Sequence, residues 1–154
     1  MRASTRLEEL GITLPTGLTP VALYKPAVVT GSLCYVSGNI NQDADGDLTI
    51  TGKVGAEVTL EQAREAARLA AINALAGAVN TIGSIDRVTK VVRLTGYVNG
   101  APGFDQPSKV IDGASELLRD IFGEDGIAAR SAIGLAELPF SAPVEVELIL
   151  EIRA

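Results

Sequence analysis

Arg130 opens the run Arg-Ser-Ala-Ile-Gly-Leu-Ala-Glu-Leu-Pro that ends at Pro139, and an alternating Val-Glu-Val-Glu starts at Val144. A guanidinium is permanently charged, and its planar fork binds a carboxylate through two parallel hydrogen bonds. An arginine at the head of an apolar strand is therefore either a paired structural charge or a receptor for an anion. Glu145 stands in the alternating acidic strand just behind it.

The chain contains no histidine. That removes Ser-His-Asp and Cys-His catalysis, histidine proton shuttles and nearly every zinc or non-haem iron site. Cys34 is the single cysteine, which excludes an intrachain disulfide and thiolate cages. Between Leu33 and Tyr35 it reads as a buried core thiol. The segment 41–47 has oxygen-bearing side chains at alternate positions and a glycine at the sixth, as at the start of a calcium loop. The twelfth position is Gly52, where such a loop needs a bidentate glutamate, so Asp45-Gly46 is read as a turn. Neither a Walker pattern nor a Gly-x-Gly-x-x-Gly fingerprint is present, so a phosphate cradle has no support, and with calcium rejected no metal site is read. A net charge of −6 and a pI near 4.6, with no Lys/Arg cluster, argue against nucleic acid as a partner. No 18-residue apolar run and no signal-peptide pattern occurs, so no membrane partner is expected and a cytoplasmic location is.

The elements that must position these residues form one domain over 1–154, with residues 1–20 as an N-terminal helix and linker. A short helix is predicted over 4–10, with Thr5 and Glu8 as a capping box. Strands are predicted over 21–30 and 32–38 around a turn at Gly31, then over 48–52. The clearest helix runs over 59–82, opened by a Thr59/Gln62 capping box and closed by Gly83. Its alanines, among them Ala63, Ala66, Ala67, Ala70 and Ala74, let it approach a sheet closely. An alternating strand over 87–98 leads through a Gly/Pro loop to a second helix over 107–122, with Pro107 at its first turn and Gly123 after it. A hairpin of strands 130–137 and 144–152 closes the chain. Strands, helix, strand, helix, strands describe an α+β domain with two helices on one face of a mixed or antiparallel sheet.

In strand 144–152, Val144, Val146, Leu148, Leu150 and Ile152 should meet the helices. The other face carries Glu145, Glu147, Ile149 and Glu151, a mixture that suits a subunit interface better than simple solvent. In a direct hairpin Glu145 lies near Ala136, and Arg130 stands about six residues further along, roughly 20 Å away. Two readings stay open: a neighbouring subunit brings the two together, or they are unrelated surface charges.

Arg130-Ser131 leading to Leu138-Pro139 and then Val-Glu-Val-Glu resembles the C-terminal signature of the reactive intermediate deaminase family (RidA/YjgF, once labelled endoribonuclease L-PSP). Cys-Tyr-Val-Ser-Gly at 34–38 is similar to its early strand-turn motif. The stretches beginning at Glu65 and Lys109, and the N-terminal Leu-Glu-Glu-Leu-Gly-Ile, resemble its longer-chain branch. The resemblance implies a chorismate-mutase-like α+β fold, a homotrimer and sites in clefts between subunits. It implies hydrolysis of 2-imino or enamine acids to 2-keto acids and ammonia, without a cofactor. On matching positions Arg130 binds the substrate carboxylate, Glu145 orients or protonates water and the leaving amine, Ser37 and Gly38 line the pocket and Tyr24 covers it. An imine is already electrophilic, so positioning, one water and one carboxylate suffice. Two positions depart from the pattern: Ala132 stands where cysteine is common, and Asp112 where asparagine is common. A carboxylate at Asp112 facing the cleft repels an anionic substrate. The rival readings are a non-catalytic module that binds small carboxylates and the older endoribonuclease, which the acidic charge and missing histidine disfavour.

Overall fold

Thr59 stops the chain before its longest helix by reciprocal capping. Its hydroxyl accepts from the Gln62 N–H at 3.2 Å, and the Gln62 side chain accepts from the Thr59 N–H at 2.9 Å. The structure, a computed structural model, describes residues 1–17 and 19–154. Its helices are α1 (Ala3–Glu9), α2 (Leu60–Ile82) and α3 (Pro107–Phe122); its strands are β1 (Ala27–Thr30), β2 (Leu33–Ile40), β3 (Val88–Asn99), β4 (Ala129–Leu135) and β5 (Val144–Ile152). Gly83 ends α2 at φ 88°, a left-handed conformation that suits glycine.

The five strands lie in the order β1-β2-β5-β3-β4, antiparallel except for the parallel β3–β4 pair. This mixed sheet with α2 and α3 on one face is the α+β architecture expected, with α1 packed against α3. The alanine stripe of α2 is buried, and so are Val144, Val146, Leu148, Leu150 and Ile152 of β5. The small side chains bring backbones together. A Cβ on Gly113 of α3 would stand 2.2 Å from the Arg64 carbonyl oxygen of α2, so the helices cross where glycine alone fits.

Four local expectations are corrected. Strands β4 and β5 do not form a hairpin: β3–α3–β4 is a strand-helix-strand crossover, which lays β4 parallel to β3 on its free edge, while β5 inserts between β2 and β3. The strand expected over 21–30 survives only as β1. Pro26 has no N–H for the ladder, and its carbonyl instead accepts from the Ser37 N–H at 2.9 Å. Residues 48–52 form no strand. Leu48 makes one isolated bridge to Gln42, and Thr49 and Gly52 donate to the Asn41 and Ser141 carbonyls. Helix α1 starts without the Thr5 box, at Arg2 with no side-chain cap. The Asp86 carboxylate reaches in from a distant turn to accept from the Ser4 N–H at 2.9 Å and its hydroxyl at 2.8 Å.

The face of the sheet away from the helices is open. It carries Tyr35, Ser37, Arg93, Thr95, Glu147 and Ile149, which line a shallow groove of about 310 Å³ with Val28.

Candidate functional site

Two features of backbone geometry set up Glu145. The register of β2 on β5 shifts between Val36 and Asn39, a bulge that takes Ser37 and Gly38 out of the regular ladder. At that point Glu145 projects toward β2, and Gly38 gives it room: a Cβ there would lie 2.1 Å from Glu145 Oε1. The carboxyl is thus held over bare backbone. Burial pushes its pKa up, and the neighbouring Glu147 carboxylate adds to the shift. No cation lies within ion-pair distance of it among the described residues. A carboxyl so placed holds its proton to higher pH than an ordinary glutamate, as suits a group that gives a proton and takes it back.

Ser37 serves the bulge. Its hydroxyl donates to the Lys25 carbonyl at 2.6 Å, so the segment before β1 is fastened beside Glu145. Tyr24, one residue earlier, is 47% exposed on that segment. Ser37, Gly38 and Glu145 therefore gather at one place, with Tyr24 on the strap next to it.

Arg130 lies elsewhere. It pairs with Leu94 in the parallel ladder and turns to the helix side of β4, where Nη1 donates to Asp112 Oδ1 at 2.8 Å and to Ser115 Oγ at 3.1 Å. Its Nη2 makes only a 3.5 Å contact with the Ser108 carbonyl. Ala132, two residues along, packs against the core from the same strand. Glu145 pairs with Tyr97 of β3 and points to the open face. Arg130 and Glu145 are thus two strands and three ladder steps apart, about 10 Å in each direction, and on opposite faces of the sheet. One chain does not bring them together.

A family model described as "YjgF/chorismate mutase-like, putative endoribonuclease" matches residues 4–152. The chain belongs to the YjgF/chorismate-mutase-like family. This YjgF-like chain is 38% identical to Protein TCP17 of Trypanosoma cruzi over 153 residues, covering 99% of this chain and 95% of the relative. It is 27% identical over 142 residues to a protein of Dermatophagoides farinae named 2-iminobutanoate/2-iminopropanoate deaminase, covering 92% and 95%. Among solved structures, Atu1372 of Agrobacterium tumefaciens superposes with a TM-score of 0.90 at 40% identity, over 98% of this chain and 92% of that one. A Shewanella oneidensis protein called "a putative endoribonuclease" gives 0.93 at 31%, over 99% and 100%.

The YjgF-like sheet also holds polar residues that sequence reasoning passed over. Tyr97 donates its hydroxyl to Glu147 Oε1 at 2.8 Å, and burial followed by that bond pushes the phenol pKa up. Arg93 Nη2 donates to Ser131 Oγ at 2.8 Å. The alternation Glu145-x-Glu147 was the available signal, since it puts two acids on one face. Behind Arg130, Arg64 Nη2 lies 2.9 Å from both oxygens of Glu116, and its Nη1 is 4.0 Å from Asp112 Oδ2. Only burial raises the Cys34 thiol pKa, and the side chain is fully enclosed. Among the described residues, no group of three or more Asp, Glu or Cys side chains converges so as to hold a metal ion. Among the described residues no helix is long and apolar enough to cross a membrane.

Proposed function

We propose that this protein hydrolyses small 2-imino acids and their enamine tautomers to 2-keto acids and ammonia, in clefts between the subunits of a homotrimer. The observation that carries this reading is Glu145, a half-buried carboxyl with a raised pKa, seated on Gly38 and without a cationic partner among the described residues. The deaminase name of the Dermatophagoides relative supports it. The division of the candidate residues into two clusters on opposite faces supports a shared cleft, because a second copy supplies what one chain keeps apart.

In this reading Arg130 of one copy binds the substrate carboxylate, and Glu145 of the next works on the C=N bond. Glu145 takes a proton from water as its oxygen attacks the imine carbon, forming the C–O bond while the π pair moves to nitrogen. The same group returns the proton to nitrogen, giving a carbinolamine. It then takes the hydroxyl proton and passes it to the amino nitrogen, and the C–N bond breaks as the keto group forms and ammonia leaves. An enamine first takes a proton at carbon to become the imine. Water is the only co-reactant, and the reaction is neither oxidation nor reduction. Tyr24 and Ser37 close the cleft over the substrate.

The test is release of ammonia and keto acid from imines made in situ by an amino-acid oxidase. Arg130→Ala and Glu145→Gln should each lose about 100-fold or more in rate while the assembly stays intact. Tight binding of small carboxylates with no rate enhancement would instead establish a non-catalytic binding module.

A further inference from the structure

Arg130 already has a carboxylate. Asp112 Oδ1 sits 2.8 Å from Nη1, the place where one arm of a ligand carboxylate would otherwise dock. Ser115 shares the same nitrogen. The neighbouring cation offers no surplus charge, because Arg64 is itself matched by Glu116 at 2.9 Å. Arg130 and Arg64 thus face Asp112 and Glu116, two cations against two carboxylates. A monocarboxylate entering here makes the cluster net negative and lies beside the Asp112 charge, where like charges repel.

The arrangement leaves two openings. Among the described residues Arg130 Nη2 is held only by the 3.5 Å contact with Ser108. Asp112 Oδ2 has, among the described residues, only the 4.0 Å approach of Arg64, and the Asp112 side chain is 44% exposed. A ligand with a carboxylate for Nη2 and a positive charge for Oδ2 keeps the cluster neutral and uses both.

Resting on the deaminase reading for the place of Arg130 in the cleft, we infer that Asp112 is a specificity-determining residue that selects 2-imino and 2-keto acids bearing a cationic side chain over simple aliphatic monocarboxylates. Asp112 acts in two ways. It competes with the ligand carboxylate for Arg130, and it pairs with the ligand's own cation.

Calorimetric binding of two stable keto acids tests this on the intact assembly: the keto acid of arginine, which carries a guanidinium, and that of leucine, which carries none. Wild type should bind the first about tenfold more tightly. Asp112→Asn keeps the shape and one acceptor but removes the charge. It should tighten binding of the leucine keto acid about tenfold and abolish the preference. Equal affinities in wild type, no binding of either acid, or an unchanged ratio in Asp112→Asn would overturn the inference. Turnover of the corresponding imines separates it from the reading beneath it. Turnover without charge preference removes the role of Asp112 and leaves the deaminase standing. Charge-selective binding without turnover removes the deaminase and leaves the selectivity.

Discussion

Gly38 shows how much one missing methyl group decides at the residue scale. The Glu145 carboxyl occupies the space a Cβ would take, 2.1 Å from Oε1 and 2.9 Å from the carboxyl carbon. The clash is with the far end of a flexible side chain, so Gly38→Ala should leave the fold within about 1 kcal/mol of wild type by denaturant titration. The carboxyl, however, must swing away from its seat. Displacement of a reacting group by an ångström or so costs on the order of 100-fold in rate, and the imine assay should show a loss of roughly that size. Loss of stability with activity intact would mean that Gly38 serves the bulge and not the carboxyl. The same scale separates Glu145 from Arg130: among the described residues one carboxyl lacks a cation, and one guanidinium has its carboxylate.

At the scale of elements, the position of α3 against α2 sets where Asp112 and Ser115 meet Arg130. That position depends on Gly113, whose absent Cβ would lie 2.2 Å from the Arg64 carbonyl oxygen and 2.9 Å from its carbon. These are backbone atoms of a helix packed on both sides, which cannot give way as a side chain can. Gly113→Ala should therefore cost about 3 kcal/mol, read as a lowered denaturation midpoint with an unchanged slope. A variant as stable as wild type would show that the helices can slide apart freely. The crossover through α3 also explains why Arg130 ends at an edge strand: β5 fills the place beside β3 that a hairpin partner of β4 would have taken.

The whole molecule is where the proposed chemistry becomes possible, since a single copy keeps Arg130 and Glu145 on opposite faces. If one copy supplies the arginine and the next the glutamate, two inactive variants must complement each other. Arg130→Ala and Glu145→Gln, unfolded and refolded together in equal amounts, should regain about a quarter of wild-type activity, because in a randomly mixed ring one cleft in four receives both native residues. Light scattering on the same sample should give three times the 16.0 kDa chain mass. A mixture as inactive as its components, in assemblies shown to exchange subunits, would rule out a shared site.

Local chemistry made several features readable from the residues alone. The Thr59/Gln62 box and Gly83 bracket α2 because capping and left-handed termination act within a few residues. The alternation of β5 gave its buried and polar faces, because strand side chains point to opposite sides at every step. What escaped was everything joined over long separations. Pro26 lies inside the strand expected over 21–30, where no neighbouring residue shows that its carbonyl accepts from Ser37, and the start of α1 depends on Asp86, 82 residues beyond Ser4. The pairing of β4 with β3 follows from a crossover whose alternative, a hairpin with β5, has the same local pattern. The fate of Arg130 was the hardest to foresee. Its residue type permitted either a structural ion pair or an anion receptor, and the packing of α3 placed Asp112 within 2.8 Å of it. Sequence set which residues could carry charge and where strands alternate; tertiary packing decided which charges meet, because an ion pair depends on distance in space and not along the chain.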